Sequence, residues 1–297
     1  MAKSYGTATR TLISSTRLKR PAAKRIYWLM VILIVVAFSI IFLGPLYWMV
    51  TGALKSPSEF ANIPPTLAPK HMHWSDYKDA WSDLHLARLL WNTTYYAFGA
   101  LAFQLVLDIG AAFAFSKLRP AGSKIILAMI LGTLMIPSTV LIIPQYVTVI
   151  NLPIFHWNML DTPWAIWLPA VTNAFNIFLL KRFFDSIPDD LMAAAAMDGA
   201  SPLRTLWSII LPMSRPILGV IAIFSTTATW KDFLWPKLVE PSAGTRTVNV
   251  GIYAFSQGLT QQEIIAGAVI AAIPTIVVFL IFQKNIMSGL TTGSLKG

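Results

Sequence analysis

The sequence predicts an all-α, polytopic membrane protein with six transmembrane helices and one cytoplasmic helical loop. Three observations lead there. Hydrophobic residues make up 56% of the 297-residue chain and charged ones only 12%, with a mean hydropathy of +0.62. A soluble domain of this length could not hide so much apolar surface, so lipid is the solvent for most of it. Apolar runs long enough to cross a bilayer recur along the chain, the first being the 25 residues 26–50. Finally, lysine and arginine concentrate in alternate connecting segments, as they do when every second segment faces the cytoplasm.

Taken in order, residues 1–25 form a basic tail with Lys3, Arg10, Arg17, Lys19, Arg20, Lys24 and Arg25. A secretory signal also opens on positive charge. The apolar run behind this tail is too long for a signal core and lacks a small-residue cleavage site, so it reads as an uncleaved first span. Further spans are expected at about 89–115, 124–143, 164–180, 217–235 and 264–282. They complete a transmembrane domain over 26–285, followed by a C-terminal tail, 286–297. The fourth and fifth spans are the least regular, with Pro169, Asn173 and Asn176 inside one and Pro216 and Pro236 bounding the other. In the first outside loop, about 51–88, Pro57, Pro64, Pro65 and Pro69 favour extended chain, and SDYKDAWSDLH after them suits a short helix. Trp74, Tyr77 and Trp81 there fit the lipid headgroup level and a soluble partner outside equally well.

Six spans place both termini on one side. With the N-terminus inside, the inside segments carry 16 of the 23 lysines and arginines, which puts both termini in the cytoplasm. This distribution accounts for the isoelectric point near 9.9 and the net charge of +10 without a nucleic-acid partner. The chain has no cysteine, which excludes disulfides, cysteine-ligated zinc and iron–sulfur clusters. His71, His73, His85 and His156 all fall in connecting segments and read as solvated side chains, so no metal site is expected.

The stretch Phe178–Pro216 stands apart. It lies on the cytoplasmic side by the charge count and reads as two short helices, with the loop proper at 185–212. Pro188 suits a first helical turn, and Asp189 and Asp190 complement the positive end of the helix dipole. Ala193 to Ala196 give a strong helix former with almost no side chain, which lets another surface approach closely. Gly199 is a stop, and Ser201-Pro202 restarts the chain as an N-cap followed by proline. Leu203, Leu206, Trp207, Ile210 and Leu211 then make one apolar stripe at helical spacing, ending at Pro212. Such a unit either lies on the membrane surface or docks on a partner.

Ionisable and amide groups inside spans are costly and mark candidate transport residues. Asp108 in the second span is the clearest, with Asn92, Asn173 and Asn176 as amides suited to sugar hydroxyls; each could instead tie helices together. The stretch 229–236, TWKDFLWP, sets an aromatic beside donors and acceptors. Trp230, Lys231 and Asp232 there offer the apolar face and polar edge that a sugar ring needs, or else an interfacial anchor with a local ion pair. Nothing supports catalysis: the sequence has no phosphate-binding glycine loop and no nucleophile–histidine–acid spacing. If ATP drives this protein, another chain must bind it.

These pieces carry a resemblance. IPDDLMAAAAMDGAS followed by ILPMSRP resembles the loop that membrane subunits of ATP-binding-cassette importers insert into their ATPase partners. From about Gly44 onward the chain is similar to the six-span permease subunits of carbohydrate importers of the maltose type. NTT at 92–94, AAFAFSKLRPAG, MIP with PQY, FLLKRFFDSIP, DFLWP and the terminal GLTTGSLKG carry the likeness. Two departures stand out: Ala193 where relatives carry glutamate, and Lys231 where they often carry asparagine. The resemblance implies a type I importer permease moving a sugar or oligosaccharide across a bacterial or archaeal cytoplasmic membrane. Glycerol phosphate is the alternative solute, for which Lys231 and Arg246 are suitably charged, and an ion-coupled secondary transporter is the alternative mechanism. The implied coupling residues are Pro188, Asp190, Leu191, Ala194, Ala195, Asp198, Gly199 and Ala200. The implied partners are a second, different permease chain, two ATPase subunits holding ATP and magnesium, and an extracellular or periplasmic solute-binding protein. No cofactor is expected on this chain itself.

Overall fold

The computed structural model describes residues 20–292, which fall into two compact units, 20–73 and 74–292. Regular secondary structure among the described residues is helical throughout, apart from one isolated antiparallel bridge between Leu152 and Trp157.

In the first unit, α1 (Pro21–Gly52) begins with proline in its first turn, where the missing N–H has no partner to lose. Its 32 residues span about 48 Å, more than a bilayer core requires. Behind it, Ser56 caps the single turn Pro57–Phe60 by accepting the Glu59 N–H at 3.2 Å. The Glu59 carboxylate then accepts the Thr66 hydroxyl at 2.9 Å and the Lys70 N–H at 3.0 Å, closing the proline-rich segment into a folded loop. Lys55 donates to the Thr66 carbonyl and lies 4.1 Å from the Trp48 ring centroid.

The second unit is a helical bundle. The short helix foreseen beside the first loop forms as α2 (Ser75–Asp83). The long α3 (Leu86–Phe113) continues through a wider five-residue turn, Ala114–Leu118. It is followed by α4 (Ser123–Gly132), whose last turn tightens over Thr133–Met135, and α5 (Ser138–Ile150). The axis bends by 104° between these two, so the stretch expected as a third span is a broken pair of helices. Pro137 is the cause: it forces Ile136 into extended backbone (φ −84°, ψ 120°) and offers no N–H to continue the ladder.

The fourth segment is broken as well. A single turn, Trp164–Trp167, is separated by irregular chain around Pro169 from α6 (Ala174–Asp185). Then come α7 (Asp189–Met197), α8 (Pro202–Met213), α9 (Arg215–Lys231), α10 (Leu234–Val239), α11 (Val248–Phe255) and α12 (Gln261–Thr292). An 80° bend separates α8 from α9. Among the described residues three helices are long and apolar enough to cross a membrane, or five if each bent pair counts as one span. Helix α3 packs against α6 and α9, and α9 packs against α12, which also contacts α2. One apolar core joins Phe113, Leu180, Phe184, Leu206, Ile210 and Ile221 beneath the α7–α8 loop. Another, at Tyr96, Val149, Met159, Ile166 and Val239, lies beside the broken fourth segment.

Candidate functional site

Two places in the second unit hold most of the sequence-derived candidates: the α7–α8 loop and a cavity in the bundle.

The loop folds as its residues dictate. Asp189 and Asp190 occupy the first turn of α7 directly after Pro188. Gly199 takes φ +74°, donating its N–H to Ala196, while the Ala200 N–H reaches the Ala195 carbonyl at 2.9 Å. This pair of bonds is a Schellman stop, which needs a residue at ease in the left-handed region. The Ser201 hydroxyl then accepts the Arg204 N–H and opens α8, with Pro202 at its first position. The expected single stripe on α8 is split. Leu206 and Ile210 enter the core, whereas Leu203 and Trp207 remain 67% and 70% exposed, and residues 206–210 form a wider turn. Ala195 is buried, while Ala193, Ala194, Met197, Asp198 and Gly199 face outward.

A charged latch fastens this loop to the end of α3. The buried Lys117 amine donates to the Ile187 carbonyl at 2.6 Å and to Asp189 at 2.7 Å, and Arg119 meets the second Asp189 oxygen at 3.0 Å. The hydrogen bond and charge of Lys117, with Arg119 beside it, hold the Asp189 carboxyl below its ordinary range. Ser116 donates to Asp185 at 2.7 Å, tying α6 to the same place.

The cavity encloses about 720 Å³ between α3, α5, the broken fourth segment, α9 and α10. Asn173, Asn176 and Asp232 line it, with Gln104, Gln145, Thr172, Ser225 and Thr229 supplying further polar groups and Phe175, Phe224 and Trp235 an apolar surface. Asp108 stands behind the wall. It is fully buried, and its Oδ1 accepts the Asn173 N–H at 3.0 Å, while Oδ2 has no partner among the described residues. The Asn173 side chain in turn caps α6 by accepting the N–H groups of Phe175 and Asn176. Asp108 and the neighbouring pair Asn173 and Asn176, 65 residues on, therefore form one structure at the break in the fourth segment.

The other candidates lie elsewhere. Asn92 donates to the carbonyls of Gly244 and Arg246 at 2.8 and 3.0 Å and fastens a loop instead of facing the cavity. Trp230 is buried with its indole N–H on the Ala271 carbonyl at 3.1 Å, so Trp235, five residues on, is the tryptophan that lines the large cavity. Lys231 borders a second hollow of about 330 Å³ with Asn249. Reading the sequence missed Gln104 and Gln145, although each is a bare amide in an apolar run, the same signal that marked Asn173.

The loop held by Asn92 has its own electrostatics. Asp161 accepts the Ser242 N–H, the Ser242 hydroxyl and the Thr245 hydroxyl, at 2.9, 2.7 and 2.7 Å. Burial works against the Asp161 charge, yet these donors outweigh it and lower its pKa. Glu240 is fully buried, with neither carboxylate oxygen hydrogen-bonded among the described residues. The neighbouring hydroxyls of Tyr96 and Thr245 are committed to the Thr245 carbonyl and to Asp161. Burial first, and the Asp161 charge after it, push the Glu240 carboxyl up to about 8.

The family profile described as "Binding-protein-dependent transport system inner membrane component" matches residues 107–291, more than half of the chain, including the α7–α8 loop and most of the cavity wall. The chain belongs to that family. It is thus a multi-pass membrane component of a binding-protein-dependent transporter, as the motifs around Asp198-Gly199-Ala200 lead one to expect. The diacetylchitobiose uptake system permease protein of Streptomyces coelicolor is 26% identical over 269 residues, covering 89% of this permease and 87% of the relative. An sn-glycerol-3-phosphate transport system permease protein of Yersinia enterocolitica is 29% identical, covering 84% and 91%. The arabinooligosaccharides transport system permease protein of Bacillus subtilis is 25% identical, covering 92% and 97%. In fold, the permease matches a chain of a bacterial ABC transporter involved in the import of the acidic polysaccharide alginate, with TM-score 0.77 and 22% identity, over 92% of this chain and 99% of that one.

Proposed function

We propose that this permease moves a sugar or oligosaccharide inward and is driven by separate ATPase subunits that grip residues 188–200. The reading includes six spans with both termini in the cytoplasm, a second permease chain, two ATPase subunits carrying ATP and magnesium, and a solute-binding protein outside. One observation carries it: the α7–α8 loop has a buried root and an unburied apolar tip. Leu206, Ile210 and Ala195 anchor it, the Lys117–Asp189 latch fixes its start, and Met197 at its tip is 89% exposed. An element anchored in this way transmits force as a rigid body, because packed cores do not deform continuously. Two of the relatives named above are named for saccharides, which supports the solute class.

In mechanical terms, closure of an ATPase dimer displaces the loop, and motion passes through α8 and the 80° bend into α9, which forms one wall of the cavity. ATP shifts the permease between inward and outward openings only as far as it binds one ATPase state better than the other. The absence of native cysteine makes the test clean. Met197→Cys is expected to crosslink to a single cysteine in the ATPase groove, and Ala194→Arg to abolish both co-purification of the ATPase and sugar uptake while leaving membrane levels of the permease unchanged. Full uptake and assembly by Ala194→Arg, or labelling of Met197→Cys by an impermeant thiol reagent from outside intact cells, would refute the docking role.

A further inference from the structure

We propose that the 720 Å³ cavity is a solute-binding site on this subunit itself, and that it takes an uncharged, polyhydroxylated solute while rejecting phosphorylated and carboxylated ones. The proposal rests on the importer reading above and adds the chemistry of selection.

The cavity has the size of a small-molecule site. Its free polar groups are those that hydroxyls can meet from either side. The side chains of Thr139, Gln145 and Thr172 line it and make no hydrogen bond among the described residues. Gln104 commits one amide hydrogen to the Ala170 carbonyl at 3.1 Å. Amides and hydroxyls that both donate and accept suit sugar hydroxyls, which do the same. Trp235 is fixed at its edge by a 2.9 Å bond from its indole N–H to the Ala165 carbonyl, so its ring is a rigid apolar surface for the C–H face of a sugar.

Rejection of anions follows from what surrounds this space. Asp232 is the only ionisable side chain among the described residues that line it, and its charge repels a second anion. The two cations that would suit a phosphate are placed elsewhere. Lys231 borders the smaller hollow, and the Arg246 guanidinium donates to the Pro241 carbonyl at 2.7 and 3.1 Å. The start of α6 opens at the cavity, and a bare helix N-terminus would attract an anion. Here its N–H groups are already used: Asn173 by the Asp108 carboxylate, Phe175 and Asn176 by the Asn173 side chain. The carboxylate of Asp108 thus neutralises the positive pole that α6 offers to the cavity.

The test uses the intact importer, with its partner permease and ATPases, in liposomes. Ala228→Cys places a thiol in the cavity lining and leaves every polar group named above in place; the chain has no other cysteine. Its alkylation by a small water-soluble thiol reagent is timed with millimolar maltotriose, diacetylchitobiose or sn-glycerol 3-phosphate present. The expected result is severalfold slower labelling with a neutral saccharide, no slowing with glycerol phosphate, and loss of the protection when Gln145→Leu is added. Equal protection by glycerol phosphate overturns the selectivity. A thiol that no probe protects, or one left unreactive because the partner permease fills the space, overturns the site. ATP hydrolysis and uptake measured in the same liposomes report on the importer reading separately. Coupled uptake alongside an unprotected thiol means that the site is wrong and the importer reading stands.

Discussion

Gly99 offers a quantitative test of how the cavity wall is built. A Cβ at this position of α3 would lie 2.3 to 2.5 Å from Cε2, Nε1 and Cζ2 of Trp167, where ordinary contact begins at 3.4 Å. In Gly99→Ala the indole must therefore retreat by about 1 Å, a displacement of the size that costs ~1–3 kcal/mol in a packed interior. It cannot retreat freely. Its N–H donates to the Tyr96 carbonyl at 3.2 Å, a bond worth ~0.5–1.5 kcal/mol, and its ring meets Tyr95, Phe103 and Trp164 at centroid distances of 5.1 to 5.6 Å. Against these stands the gain of alanine over glycine in a helix, ~0.5–1 kcal/mol. The net expectation is destabilisation by ~1–3 kcal/mol, or a fall of several degrees in melting midpoint for a protein of this size. On the same helix, Gly110 has nothing within 4 Å of its virtual Cβ, so Gly110→Ala should be neutral or slightly stabilising. Melting of the detergent-solubilised permease by scanning fluorimetry compares the two. Trp167→Ala, which removes the whole ring and with it the three clashing atoms, should make the Gly99→Ala change nearly harmless in a double-mutant cycle. Equal midpoints for Gly99→Ala and Gly110→Ala, or strict additivity in the cycle, would refute the claim that Gly99 exists to admit Trp167.

Two further outcomes concern the loop beyond the cavity. Glu240 binds its proton more tightly when folded, at about 8, than in the unfolded chain at its ordinary 4.5. Between those values the folded state holds the extra proton, so its stabilising contribution is complete below about pH 4.5 and is lost as pH rises through 8, with a slope of up to ~1.4 kcal/mol per pH unit. Glu240→Gln should flatten this fall and melt higher than the parent at pH 8; an unchanged pH profile of the midpoint would disprove it. Asn92→Ala removes both bonds to the Gly244 and Arg246 carbonyls and should speed proteolysis within 241–247 without altering which solute is carried. A changed solute preference in that variant would return Asn92 to the transport path.

What could be read in advance depended on how local its cause is. The caps and stops of the α7–α8 loop were legible, though the split stripe of α8 was not, because proline at a helix start, acid in a first turn, glycine at a left-handed stop and serine as an N-cap each act on neighbouring backbone. The apolar runs of α3 and α12 were legible for a similar reason: their length alone matches a bilayer. Proline marked the irregular places, yet composition cannot tell a kink from a break. Pro45 and Pro274 lie inside unbroken helices, while the chain turns by 104° at Pro137. The difference is that a helix can absorb one lost bond, whereas at Pro137 the preceding residue has already left helical backbone.

Site chemistry was less legible because it depends on contacts across more than sixty residues of sequence. Asp108, Asn173 and Asn176 each drew attention as a polar residue in an apolar run, and each had a structural and a functional reading. Their arrangement joins the two readings for Asp108. Its carboxylate holds the end of α6 through the Asn173 N–H, and by occupying that pole it sets the electrostatics of the neighbouring cavity. The same logic separates Trp230 from Trp235, which the sequence presents as equivalent aromatics. One indole N–H is satisfied inside the α9–α12 packing, while the other is satisfied at the cavity edge with its ring on the lining. A buried polar group must find a partner somewhere, and which partner it finds decides whether the side chain holds helices together or meets a solute.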